Sequence, residues 1–316
     1  MAVQVSIDNF ARAETDTMIA RMLPMVGGLG TFHHDRALAP LDEQPVIRQN
    51  RDTLYSVAIV DLGAGDATLT VPEVGDRYLS VMVINQDHHI NRVVREAGSS
   101  VLSRDEFGTD YVVVAARTLF DPTSPADVEE VHRLQDGLTL ATAEQREFVR
   151  PDYDPASHQE VRGALLTLGR TMGGLEHCFG RAEDVDPVRH LVGTALGWGG
   201  LPDAEASYLN VEPRLPVSRY TITFDDVPAD AFWSLSVYNA DGYFEPGPSG
   251  LTNVNSVFAT PDPDGRVTIH LGDWPDDAPH RIPLPEGWNF TVRLYRPRLD
   301  ELATWTVPPV VPVVPA

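Results

Sequence analysis

Residues of strand character fall in two blocks at the two ends of this chain, and within each block the connections are short and lack a helical crossover. The first block holds Tyr55–Asp61, Ala67–Val71, Tyr78–Ile84 and Tyr111–Ala116, punctuated by Gly63, Gly65, Gly75 and Gly98. Parallel neighbours need a crossover of a dozen or more residues, whereas antiparallel neighbours need only a turn. An antiparallel sandwich follows. The second block, after Tyr208, holds Tyr220–Phe224, Phe232–Tyr238, Val267–Leu271, Phe290–Arg296 and a terminal Thr304–Val307. Asp264-Gly265 ahead of Val267 is a hairpin signal, because both residues tolerate positive φ.

Between the blocks the period changes to that of helices. Ser124-Pro125 with Asp127 at the third helical position reads as a capped start, and Val128, Val131 and Leu134 follow at helical spacing. Further helices are expected at 143–149, 157–169 and 187–196, the last opened by Asp186-Pro187. Near the amino terminus, residues 9 to 23 form a helix with Phe10, Met18, Ile19, Met22 and Leu23 on or near one side and Pro24 closing it. Gly27, Gly28 and Gly30 follow as a hinge or a tight connection, since no strand precedes them as a phosphate cradle would require.

The expectation is therefore a mainly β fold with a helical bridge: two antiparallel β-sandwich or jelly-roll domains. Its parts are an amino-terminal helix and turn (1–30), a first sandwich (31–120), a helical region (121–207), a second sandwich (208–307) and a proline-rich tail (308–316). The tail, with Pro308, Pro309, Pro312 and Pro315, should stay out of any ladder for want of backbone donors.

Charge and composition remove several classes of function. The net charge is −22, and all 24 basic residues are arginine. An acidic field of this size repels phosphate backbones and anionic leaflets, so nucleic acid is not an expected partner. Without lysine there is no Schiff base, no lysine-anchored pyridoxal phosphate and no phosphate-loop lysine. A single cysteine, Cys178, excludes an intrachain disulfide and a cysteine-based metal cluster, and reads as a buried structural thiol. No stretch reaches membrane-spanning length, and the sequence as given reads as cytoplasmic unless a leader has been trimmed.

Asn85-Gln86-Asp87-His88-His89, directly after a strand, is the most chemical group of the first block. Asp87 and His89 share a face if the strand continues, and all three ionisable groups can converge in a turn. A carboxylate beside an imidazole can orient a general base or supply two metal ligands; a hydrogen-bonded polar strand end is the bland alternative. His33-His34-Asp35 repeats the pattern in a loop. His132, His158 and His190 lie in helical segments, where surface or capping roles are expected.

In the second block, Tyr238, Asn239, Asp241 and Tyr243 gather donors and acceptors at a strand-to-turn junction. Asn239 and Asp241 can cap their own turn, and the tyrosines can frame a ligand. Arg51, Arg77 and Arg293 stand beside strands or turns, where each can pair with Asp52, Asp76 or Asp87 or clamp a substrate carboxylate. No G-x-S-x-G elbow is present, and Ser80 and Ser236 lie within strands, so a serine nucleophile is not indicated.

Asn50-Arg51-Asp52-Thr53-Leu54-Tyr55-Ser56 resembles bacterial proteins that pair the domains of unknown function numbered 1254 and 1214. Gly75-Asp76-Arg77-Tyr78, Trp233 through Tyr243 and Arg293-Leu294-Tyr295-Arg296-Pro297 ahead of Thr304-Trp305 carry the same likeness. The resemblance implies two β-rich domains with a helical region, and is nearly silent on activity.

Three functions follow as expectations. The first is an enzyme for hydrolysis or general acid–base chemistry on an ester, lactone or carboxylated metabolite, with Asp87 and His89 as the catalytic pair. Arg77, His88, Tyr238, Asn239, Asp241, Tyr243 and Arg293 then contact the substrate. The second is a non-catalytic small-molecule or carbohydrate-binding protein, and the third a structural assembly module. No cofactor is implied, a divalent metal stays open, and a homo-oligomer is compatible with all three.

Overall fold

The computed structural model describes residues 2–44, 47–245 and 251–313. The chain forms two compact units: Met1–Ala37 with Thr53–Asp203, and Leu38–Asp52 with Ala204–Ala316. The helical region thus belongs to the same unit as the first sandwich, and the stretch 38–52, expected in that sandwich, belongs to the second.

In the first unit, β1 (His33–His34), β2 (Thr53–Asp61), β4 (Leu79–Asn85), β5 (Ile90–Val94) and β7 (Tyr111–Leu119) form a sheet of order β1-β2-β7-β4-β5. A three-stranded sheet, β6-β3-β8, is built from β3 (Ala67–Val71), β6 (Gly98–Leu102) and β8 (Thr139–Ala141). Every pairing in both sheets is antiparallel. Alternate residues form one core: Ala58 and Val60, Leu79, Val81 and Val83, and Val112, Val114 and Ala116 meet Ala67, Leu69 and Val71. Fully burying one of these valine or leucine side chains stabilises by about 1.5–3 kcal/mol. β4 and β7 are buried at every residue, on both faces.

The helices of this unit are α1 (Phe10–Val26), α2 (Arg104–Phe107), α3 (Pro125–Asp136), α4 (Pro155–Gly169) and α5 (Pro187–Leu196). Each of α3, α4 and α5 starts with proline behind a capping side chain: Ser124, Asp154 and Asp186 accept from Asp127 N, Ser157 N, and both Val188 N and Arg189 N, respectively. α1, α4 and α5 pack through Phe10, Ala13, Leu165, Val192 and Ala195.

Pro24 does not close α1. The helix runs to Val26 and ends at Gly27, whose φ of 76° supplies the left-handed cap and whose N–H reaches Leu23 O. Nor does its inner face match the apolar pattern: Glu14, Thr15 and Asp16 are buried, whereas Met18, Met22 and Leu23 are half-buried.

The helix expected at 143–149 is absent. Gln145 and Arg146 are instead drawn onto Asp61: Gln145 accepts from Asp61 N at 2.7 Å, and Arg146 donates from Nε and Nη2 to its carboxylate at 2.7 and 2.6 Å.

The second unit stacks β14-β13-β10-β16 on β12-β11-β15-β9, with strands β9 (Ala206–Val211), β10 (Tyr220–Phe224), β11 (Ala229–Tyr238), β12 (Asn253–Asn255), β13 (Val267–Leu271), β14 (Arg281–Ile282), β15 (Asn289–Pro297) and β16 (Val311–Pro312). Only β13 and β14 pair in parallel among the described strands. Trp233, Leu235, Val237, Phe290, Val292 and Leu294 face Ile222, Phe224, Ile269 and Leu271 across the core.

Three local expectations fail here. Thr304–Val307 is not a strand: a short helix, α6 (Leu299–Leu302), precedes it, and Trp305 and Val307 pack on the core from irregular backbone. The tail does join a ladder, with Val311 opposite Thr221 and Pro312 opposite Tyr220; an edge strand tolerates a proline whose missing donor faces outward. Asp264-Gly265 makes a turn, closed by Gly265 N to Asp262 O and Asp262 N to Arg266 O, but the chain before it is irregular, so no hairpin forms. Val314 to Ala316 lie outside the described residues. Among those described, no helix is long and apolar enough to cross a membrane.

Candidate functional site

The loop joining β4 to β5 is a tight turn organised by Asn85. Its Oδ1 accepts from Asp87 N at 3.0 Å and His89 N at 2.9 Å, while its backbone N–H meets His89 O. His88 takes a φ of 65°, the left-handed conformation that closes such a loop. The three ionisable side chains therefore leave in three directions.

Asp87 turns outward to α1, where Arg12 grips it with Nε to Oδ1 at 2.8 Å and Nη2 to Oδ2 at 2.7 Å. Asp87 is not hydrogen-bonded to His89, so the expected orienting carboxylate is absent.

His88 turns inward and is fully buried. Its Nε2 accepts from Gly199 N at 2.9 Å, which leaves the proton on Nδ1; that N–H donates to Thr194 Oγ1 at 2.8 Å, and Thr194 donates on to His190 O. Trp198 stacks on the ring at 5.5 Å. Burial, followed by repulsion from His190 and His89, holds its pKa well below the ordinary value, so His88 is a neutral structural link and not a substrate contact.

His89 is half-buried and lies flat against His190, with ring centroids 4.5 Å apart and planes 11° from parallel. Among the described residues neither of its ring nitrogens has a hydrogen-bond partner. Burial first, then His190, lower its pKa against a weaker pull from Asp87 and Glu183. The outcome is an unprotonated imidazole whose lone pair is unoccupied among the described residues.

Behind this surface lies a network that was not assembled from the sequence. Asp16 accepts from Gln86 Nε2 at 2.8 Å and from Tyr153 OH at 2.9 Å, and burial raises its pKa. Glu14 meets His158 Nε2 at 2.7 Å and Arg162 Nε at 3.2 Å; Thr15 accepts from Trp198 Nε1. His158 and His190 are thus interior groups, contrary to expectation. The available signal was Phe10, Ala13, Asp16 and Ile19 at intervals of three, which turns acidic neighbours inward with the apolar ones.

Arg77 takes no part. It donates to Leu119 O at 2.7 Å and pairs with Asp127, not with Asp52, Asp76 or Asp87. His33 and His34 form β1 instead of a loop. His33 lies 3.4 Å from Asp35, and His34 Nδ1 meets Ser56 Oγ at 2.8 Å. Among the described residues no three His, Cys, Asp or Glu side chains are grouped to hold a metal ion. Cys178 is buried, and burial pushes its thiol up to about 11.

The second unit holds its own polar cluster, on the face of β11, β12 and β15 opposite the core. Ser234, Ser236 and Tyr238 alternate with the core residues of β11, as Thr291 and Arg293 do on β15, yet all are buried. Asp52 accepts from Ser234 Oγ at 2.6 Å and Asn253 Nδ2 at 2.9 Å. Burial pushes its carboxyl up, against Arg293 and these bonds. Arg293 donates to Ser236 Oγ at 2.9 Å, Arg48 O at 2.7 Å and Tyr238 OH at 2.7 Å, and Tyr238 donates to Gln49 O at 3.1 Å. The stretch 38–52 is thereby tied to the sheet.

Asn239 caps its own turn as expected, its Oδ1 accepting from Asp241 N and Tyr243 N, and it also donates to Glu245. Asp241 is exposed and Tyr243 half-buried. Arg51 donates to Ala39 O and lies over Phe244.

Comparison with solved structures gives the crystal structure of the VPA0106 protein from Vibrio parahaemolyticus, with a TM-score of 0.77, 17% identity and 98% of each chain covered. An uncharacterised protein from Burkholderia cenocepacia has a TM-score of 0.53 and 15% identity over 95% of this chain and 87% of its own. At these identities the likeness is one of fold. A comparison with the curated proteins finds no match. Residues 29–100 match the model described as protein of unknown function DUF1254, and residues 203–299 the one described as protein of unknown function DUF1214. The chain thus pairs an amino-terminal DUF1254 domain with a carboxy-terminal DUF1214 domain, as its sequence motifs imply.

Proposed function

We propose that the first unit is a small-molecule enzyme in which His89 is the general base for hydrolysis or proton transfer on an ester, lactone or carboxylated metabolite. The observation that carries this reading is the state of His89: half-exposed, with no hydrogen bond to either ring nitrogen among the described residues, and held unprotonated by burial and His190. A base of this kind can take the proton of a water attacking a carbonyl. Arg12, about 40% exposed with its partner Asp87, supplies the anchor for a substrate carboxylate that Arg77 cannot. Asp87 then sets the direction of Arg12.

The test is a screen of esters, lactones and carboxylated small molecules with the purified protein, followed by His89→Gln on the substrate found. Loss of turnover with the fold retained supports the base; undiminished turnover overturns it.

A second reading, non-catalytic binding of a small molecule or carbohydrate, is favoured by one feature of the second unit. Arg48 Nε and Gln49 Oε1 are buried with no hydrogen-bond partner among the described residues, beside the Arg293 cluster, and such atoms mark places for water or a ligand's polar group. Saturable binding without turnover, abolished by Gln49→Ala, supports it.

A further inference from the structure

His190 makes two hydrogen bonds that a neutral imidazole cannot make together. Its Nδ1 lies 3.0 Å from Cys178 O and its Nε2 3.1 Å from Asp87 O. Both partners are backbone carbonyls, which only accept. A neutral ring carries one N–H and would set its other lone pair against a carbonyl lone pair. The ring is buried, so no solvent relieves that contact.

We propose that His190 holds a proton on both ring nitrogens at neutral pH and, as an imidazolium clamp between the Asp87 turn and the Cys178 loop, is the positioning residue for His89. The second half of this statement rests on His89 as the proposed base; the first does not.

The surrounding groups fit a single extra proton in this trio of imidazoles, carried by His190. His88 stacks on His190 at 5.6 Å and is pinned neutral, because its Nε2 is occupied by the Gly199 N–H. His89 also stacks on His190, at 4.5 Å, and among the described residues has no acceptor for a second N–H. Of these three rings, only His190 has two acceptors among the described residues. The Asp87 carboxylate is bound by Arg12, the Cys178 thiol is protonated, and Glu183 acts on His89 from the same loop. Asp186 caps the helix that carries His190, where its Oδ1 is taken by Val188 N and Arg189 N. A cation fixed at His190 therefore repels a second proton from His89 while keeping the turn that carries His89 in place.

The experiment is nitrogen-detected NMR of the histidine rings in the intact protein between about pH 5 and pH 9, assigned with single His→Gln variants. Near pH 7 both nitrogens of His190 should be protonated, His88 should carry a proton on Nδ1 alone, and His89 should be neutral. A neutral His190 at that pH overturns the proposal, whether or not the protein proves to be an enzyme. In folded His190→Phe, which keeps the stack and removes the charge, the His89 titration should rise by roughly one unit. An unmoved His89 overturns the positioning role. Loss of turnover in that variant with His89 shifted would leave the base assignment intact, whereas retained turnover in His89→Gln would remove the base without touching the charge on His190.

Discussion

Arg12 and Asp87, 75 residues apart, meet through two parallel hydrogen bonds of 2.8 and 2.7 Å on the surface of the first unit. This fork occupies both oxygens of the carboxylate that the sequence pattern assigns to His89. It also holds the Arg12 guanidinium with its charge partly exposed. Because both side chains are about 40% exposed, the pair adds little stability, at most about 1 kcal/mol.

Arg12→Ala is accordingly expected to leave the melting temperature nearly unchanged while raising KM for a carboxylated substrate about tenfold, a loss of roughly 1.4 kcal/mol of binding. An uncharged ester of the same acid should be affected much less. Steady-state kinetics on the two substrates checks this, and equal losses on both would show that Arg12 is not an anionic anchor.

Arg77→Ala should do the reverse. Its partner Asp127 is mostly buried and is held below the usual carboxylate range because the Arg77 bond and the Asp121 N–H outweigh burial. A loss of about 1–3 kcal/mol in denaturant unfolding is expected, with no change in KM. The contribution of Asp127 is complete above its unfolded value and declines as pH falls through its lower native one, so the gap between variant and wild type should narrow in acid.

His88 should make the protein acid-sensitive. Its native pKa lies well below the ordinary 6.5, so below about pH 6.5 the unfolded chain gains a proton that the native chain refuses, and stability falls as pH drops. His88→Asn accepts the left-handed backbone and cannot titrate. It should be less stable than wild type at pH 8, by about 2–3 kcal/mol for the lost buried contacts, with a shallower acid slope. Chemical denaturation across pH 5–8 measures both, and an unchanged slope would assign the acid sensitivity elsewhere.

In the second unit, Arg293→Leu should cost about 3–5 kcal/mol, because it leaves the buried Asp52 without its cation and Tyr238 without its donor. Adding Asp52→Asn should recover part of that loss. A double-mutant cycle on the denaturant midpoint reads the coupling, and strict additivity would show that Asp52 and Arg293 act independently.

The sequence by itself determined the architecture. Period-two runs such as Ala67–Val71 and Tyr220–Phe224 came through with their boundaries unchanged, and the Ser-Pro and Asp-Pro starts of α3 and α5 did so as well. These signals are local: a strand's alternation and a helix cap lie within a few residues, so the pattern is complete in the chain. Helix 143–149 failed for the opposite reason, since Asp61, more than eighty residues away, outbids the local propensity of Gln145 and Arg146.

What surrounds the β4–β5 turn was decided only by tertiary structure. Arg12, Asp16, Tyr153, His190 and Trp198 come from α1, α5 and the connections around them, and no spacing between them is fixed by a local repeat. The polar face of β11 and β15 makes the same point. Alternation separates Ser234, Ser236 and Arg293 from the core residues, but the same alternation describes a face open to water. That this face is buried, and that Asp52 and Arg293 must therefore be satisfied by neighbours, follows from where the stretch 38–52 is held by hydrogen bonds between residues some 200 positions apart.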